Sequence, residues 1–291
     1  MPVAARDLGG LGLFGWVFSA FFLGQILGTV TAGRSADRHG PARGFAIALA
    51  CFASGLAIAG CAPSMTIVVG ARAVQGLGAG AMLALAYVLI GRTYPSELQP
   101  RIFAVISSSW IIPALVGPAI AGSVADGPGW RWVFLGLLPL VAAAGAITLP
   151  AMRSLGRPDG AEPPDRRRAA LVLTLGATMA LAGVTAANAA VAIPLVVLGL
   201  VIGGRTFIGI LPAGTLRVAP GAPAAVAVRF LVAAAYFGVD AFVALTLDEV
   251  RGNPAAVAGT ALTAASLTWV AGSWLQERTV DRKSTRLNSS H

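Results

Sequence analysis

Two ionisable residues stand inside stretches that are otherwise apolar. Arg72 lies in "GARAVQGLGAGAM", residues 70–82, and Asp240 in "AAVAVRFLVAAAYFGVDAFVALTL", residues 224–247. A charge in hydrocarbon costs about 2.5–3.5 kcal/mol on insertion scales unless it faces a cavity or a partner. The chemistry open to such residues is proton relay, ion pairing or recognition of a charged solute. Asp240, flanked by apolar residues, suits a proton carrier or a cation contact, with partnership to another helix as the structural alternative. Arg229 precedes Asp240 by eleven residues, nearly three helical turns, so the two share a face about 16 Å apart and cannot pair within the helix. A third charged feature, "AGRSADRHGPARG" at 32–44, packs Arg34, Asp37, Arg38, His39 and Arg43 between two apolar runs. Outside the tail His39 is the single histidine, and no apolar run holds paired carboxylates, so neither a metal cluster nor enzymatic chemistry is expected.

The elements that must position these residues are membrane helices. The chain is 56% hydrophobic and 11% charged, with mean hydropathy +0.78, where soluble domains carry about a quarter charged residues. Crossing about 30 Å of hydrocarbon takes about 20 apolar residues as a helix. Runs of that kind occur at 12–33, 45–62, 66–90, 103–125, 132–150, 169–188, 191–209, 222–247 and 254–275. No alternation of period two recurs as a membrane barrel would need, so an all-α polytopic bundle is expected. The net charge of +9 marks orientation rather than a nucleic-acid partner. With the 34–43 loop placed in the cytoplasm, the loops on that side also take Arg92, Arg101, Arg153, Arg157, Arg166, Arg167, Arg168, Arg205, Arg217 and Arg278, leaving Arg6, Arg131 and Arg251 outside. Cys51 and Cys61 both fall in the second run, as two small buried hydrophobes.

Three motifs carry a resemblance. Gly33, Asp37, Arg38, Gly40 and Arg43 resemble the G-x-x-x-D-R-x-G-…-R loop of the major facilitator superfamily, with Pro41 and Ala42 departing from it. Gly33 admits a close neighbour, Gly40 a tight turn, and the Asp37–Arg38 pair a switchable charge cluster. Arg72-x-x-Gln75-Gly76-x-Gly78 resembles the family's fourth-helix motif, whose arginine is tied to proton transfer. The same glycines resemble a phosphate-binding loop, but no strand precedes them, and close helix packing is the better reading. Gly117-Pro118 with Gly122 resembles the fifth-helix signature of proton-driven exporters, although Pro113 and Ala121 stand where that signature has glycines.

The resemblance implies a proton-coupled transporter exporting amphipathic small molecules or drugs by alternating access, multi-pass in the cell membrane. It implies no cofactor beyond the proton gradient, and a monomer. Arg72, Gln75 and Asp240 would serve proton coupling and substrate, and Gly33, Asp37, Arg38, Gly40 and Arg43 a cytoplasmic latch. Gly76, Gly78, Gly117, Pro118 and Gly122 would serve helix packing and the antiport motif. An uptake permease of the same superfamily and a truncated, non-transporting fragment are the alternatives. The motifs arrive one helix early, so residues 1–150 are expected to be an N-terminal half lacking its first helix. Residues 151–168 read as a cytoplasmic linker, 169–210 as two additional central helices, and 211–280 as the start of the C-terminal half. Two additional helices resemble the fourteen-helix drug:proton antiporter branch, and Gly272 to Arg278 resembles a degenerate repeat of the Gly33–Arg38 pattern. The tail "DRKSTRLNSSH" holds the chain's only lysine and resembles a translated sequencing adapter, so residues 281–291 are expected to be foreign.

Overall fold

A computed structural model describes residues 1–153 other than 40, 96 and 110, and residues 167–268 other than 266. Every regular element among them is helical. A short α1 (Pro2–Asp7) leads into α2 (Phe14–His39), α3 (Pro41–Gly60) and α4 (Met65–Thr93). Then come α5 (Gln99–Ser109), α6 (Ile111–Val124), α7 (Arg131–Leu135) and α8 (Leu138–Arg153). The remainder is α9 (Arg167–Thr185), α10 (Ala189–Ile210), α11 (Ala222–Leu245) and the apolar α12 (Ala255–Ala265).

The helix starts follow local chemistry. Ser64 accepts from the Ile67 amide to open α4, and Asn188 accepts from the Ala190 amide at 2.9 Å to open α10. At the end of α4, Gln99 Nε2 donates to the carbonyls of Tyr94 and Gly91, at 3.0 and 3.3 Å.

Seven helical stretches among the described residues are long and apolar enough to cross a membrane: 11–32, 41–60, 65–91, 131–153, 167–185, 189–210 and 222–250. The other two of the nine runs expected from sequence fall partly outside the described residues. The run at 103–125 is helical in α5 and α6 on either side of Trp110, which is outside the described residues. Of the run at 254–275, α12 is described and residues beyond 268 are not.

The charge-rich stretch after the first run is helical as far as His39, with α3 starting at Pro41, so most of the expected loop is an extension of α2. Cys61 sits in the turn after α3 and is exposed, not buried within a span, because α3 stops at Gly60; Cys51 is half-buried. Residues 154–166 of the expected linker, the Gly272–Arg278 repeat and the tail lie outside the described residues.

Packing is tightest where glycines let backbones meet. A Cβ added at Gly24 or Gly28 of α2 would run into the carbonyls of Ala73 and Leu77 of α4. Reciprocally, one at Gly76 or Gly80 would meet those of Phe21 and Gln25. Two small-x-x-x-small faces thus interlock along one seam. Gly176 and Gly183 of α9 approach Gly199 and Ala192 of α10 in the same way, and the Trp16 indole donates to Thr185 Oγ1 at 3.2 Å, tying α9 to α2. The best-buried apolar cluster gathers Phe14, Val17, Leu56, Met65, Val68 and Phe134 at the ends of these helices remote from the basic stretch.

Candidate functional site

Arg72 sits two turns into α4, on the seam with α2, and three groups hold it. Its Nη1 donates to Gln75 Oε1 at 2.6 Å, one turn further along the same helix. Its Nε donates to the Val17 carbonyl at 3.4 Å. Its guanidinium carbon lies 4.3 Å from the centre of the Phe21 ring. Gln75 is only 4% exposed.

The spacing explains the arrangement. Residues three apart on a helix are neighbours, so Arg72 and Gln75 meet without distortion. Gly76 brings α2 close enough for Val17 and Phe21 to complete the shell. The guanidinium therefore finds an acceptor, a carbonyl and a π-face in place of water, yet among the described residues no carboxylate neutralises it. Such a cation is stably housed and still electrostatically uncompensated, which leaves it able to respond to an anion or a proton moving nearby.

Asp240 lies within α11, half-buried. Among the described residues no hydrogen bond or ion pair reaches it. Ring contacts of Phe237 with Phe22 and of Phe242 with Phe14, each 6.1 Å between centroids, set α11 against α2 on either side of it. These pairings are antiparallel, and they bring Asp240 to about the depth of Val17, whose carbonyl holds Arg72. Two unlike charges thus share a level in the bundle without forming a bonded pair. Arg229 is exposed on the same helix.

The remaining sequence-predicted residues divide. Gly78 packs against the Ala48 carbonyl and the Phe52 amide of α3. Gly122 meets Ala255 and Ala256 of α12, and the Pro118 carbonyl lies against Gly259. A Cβ added at Gly117 would meet nothing within 4 Å among the described residues, Gly117 standing off the face that α6 turns to α12. Gly33, Asp37 and Arg38 lie on the helical backbone of α2, so Asp37 and Arg38 are in its last turn rather than in a loop. Gly40 is outside the described residues, and Arg43 is exposed in the first turn of α3.

Sequence reasoning missed the polar contacts at the rim opposite the basic stretch. Arg6 Nη2 contacts both oxygens of Asp248, at 2.7 and 2.8 Å, and its Nε lies 3.3 Å from Glu249. Asp7 accepts from the Trp130 indole at 2.9 Å and from Arg131 at 3.1 Å. Those two donors, the indole first, hold the Asp7 carboxyl below its usual value of 3.8. Asp126 accepts from the amides of Ala255 and Ala256. The sequence separations, over 100 residues in each case, left no local signal to find them.

The chain is similar to a Mycobacterium tuberculosis protein named "Probable multidrug-efflux transporter Rv1634", 33% identical over 156 residues, covering 54% of this chain and 33% of the relative. "Multidrug transporter protein MdtP" of Bacillus subtilis is 31% identical over 140 residues, 48% of this chain and 26% of the relative. "Efflux pump FUS6" of Gibberella fujikuroi is 28% identical over 158 residues, 54% of this chain and 28% of the relative. The chain therefore aligns with about a third or less of the length of these relatives. The profile of the Major Facilitator Superfamily matches residues 1–289, and with its repeated apolar helices the chain belongs to that superfamily of multi-pass membrane transporters.

Proposed function

We propose that this chain is part of a proton-coupled exporter of amphipathic small molecules, working by alternating access in the cell membrane as a monomer. The observation that carries the reading is Arg72: a guanidinium inside a span, held by Gln75, the Val17 carbonyl and Phe21, with no carboxylate on it among the described residues. Relatives named as multidrug-efflux transporters support export and a broad small-molecule substrate class.

In this reading Asp240 takes up and gives back the proton, and Arg72 at the same depth biases its charge state. A carboxylate that gains or loses charge beside a fixed cation changes which packing of the halves is preferred, and that is the coupling alternating access requires. Gly33, Asp37, Arg38, Gly40 and Arg43 form the latch on the basic side. The protein needs no cofactor beyond the proton gradient.

The test is flux in proteoliposomes holding the full-length protein, with an imposed pH gradient and ethidium as a fluorescent lipophilic cation. Arg72→Ala and Asp240→Asn are each expected to lower proton-driven flux at least tenfold while insertion and yield stay normal. Flux at the parent rate in both variants would sink the proposal.

A further inference from the structure

At the rim opposite the basic stretch, two polar contacts join residues 242 and 129 positions apart in the sequence. Span α6 ends in a π turn, Ala125–Gly129, and α11 ends in another, Thr246–Val250. Each wide turn carries acid: Asp126 in the first, Asp248 and Glu249 in the second. Turns of this kind re-aim a side chain that a regular helix would leave along its own surface.

Asp126 reaches the start of α12. Its Oδ1 accepts from the Ala255 amide at 3.0 Å and its Oδ2 from the Ala256 amide at 2.7 Å. The first amides of a helix lack partners within it, and α12 follows Pro254, whose side chain has nothing to cap with. The cap comes instead from 129 residues away, as a carboxylate at the positive end of the helix. Below it, Gly122 and Gly259 let α6 and α12 touch backbone to backbone.

The second contact crosses the same rim. Arg6, in α1, binds Asp248, which is 5% exposed, and Glu249 beside it. Its neighbour Asp7 pulls the other way, to Trp130 and Arg131. The last two residues of α1 thus hold, side by side, the end of α11 and the start of α7.

We propose that Asp126 on α12 and Arg6 on Asp248 form a two-point clasp that holds the earlier and later helices together on this rim, and that solute release requires it to open. The last clause rests on the transport reading; the clasp itself does not. A carboxylate on two backbone amides forms and breaks without moving a proton or another side chain, which suits a contact made and broken in every cycle.

The experiment uses the full-length protein in nanodiscs with Cys51→Ser, Cys61→Ser and a reporter, Ala258→Cys. Ala258 is 5% exposed, one turn into α12 beside the contact with α6. Reaction with a charged maleimide is timed without substrate or gradient. Asp126→Ala is expected to label at least tenfold faster than the parent, and Arg6→Gln more modestly. The exchanged pair Arg6→Asp with Asp248→Arg should return labelling to near the parent rate. If Asp126→Ala does not fold, the Arg6 arm decides alone. Labelling at the parent rate in every variant that folds overturns the clasp.

A flux arm separates the two claims. Asp126→Cys with Ala256→Cys, oxidised to a disulfide, should stop proton-driven flux, and a reductant should restore it. Undiminished flux in the oxidised protein overturns the release step. A parent that shows no proton-driven flux at all sinks the transport reading, while the labelling still decides whether the clasp exists.

Discussion

Helices α4 and α11 each carry an ionisable residue through an apolar span, and they treat it in opposite ways. In α4 the charge is built in: Arg72 has Gln75, the Val17 carbonyl and Phe21 around it. Of the described residues in the apolar stretch of α4, 39% are fully buried, and in that of α11 none is. Helix α11 meets α2 through rings, and Asp240 has no hydrogen bond or ion pair among the described residues. Housing a charge in a membrane therefore depends on backbone approach as much as on a counter-ion. Glycines let α2 close on α4, and that closeness supplies the carbonyl and the ring.

The largest effect should come from prising that seam apart. Gly76→Leu drives a side chain into the Phe21 carbonyl, where backbone rather than a flexible tip must give way. Overpacking of this kind costs about 1–3 kcal/mol or more, and here it also strips Arg72 of its shell. Loss of the monodisperse folded fraction in detergent is the expected readout. Gly117→Leu, on the same residue type but facing open space, should leave that fraction unchanged. If both variants fold alike, the seam is not what houses the charge.

A middle-sized effect distinguishes the two charges directly. Gln75→Leu leaves the Arg72 Nη1 without its acceptor in a 4%-exposed position, a loss of about 1–3 kcal/mol. Phe21→Leu removes the ring face for about 0.5–2 kcal/mol. Both should lower the thermal midpoint of unfolding. Asp240→Asn should shift stability by less than about 0.5 kcal/mol, since no described partner is lost, while affecting flux. A clear destabilisation by Asp240→Asn would show that α11 holds its charge as α4 does.

The sequence makes one side of this contrast more legible than the other. Arg72, Gln75 and Gly76 lie within five consecutive residues, so helical periodicity alone brings the first two together and sets the glycine on the adjoining face. Phe21 and Val17 carry no such signal, because an apolar residue beside an arginine looks like any other apolar residue of a span. Gly117 shows a different limit: a motif position names a residue type, while the rotation of α6 decides which described helix it faces. Charge marks a loop poorly here, since α2 carries Asp37 and Arg38 on helical backbone beyond its apolar run. The rim contacts were invisible, because each acid there binds a partner over 100 residues away.

A partnered charge that water can reach gives the comparison its finest test, and the smallest effect. Asp7 shares with Arg72 a shell of protein groups, the Trp130 indole and Arg131, but its side chain is 51% exposed. Those donors favour its ionised form and hold its carboxyl below the usual 3.8. A depressed value means that the contact is at full strength above the ordinary carboxylate range and fades only as pH falls through the folded-state value. Fluorescence of Trp130, isolated by subtracting a Trp130→Phe variant, should therefore stay constant from neutral pH down to about 4 and change below it. Asp7→Asn should give a flat trace over the same range. A midpoint above the ordinary value would mean that the indole and Arg131 do not hold the carboxylate. Partner groups at the rim would then differ in kind from those that house Arg72 in the span.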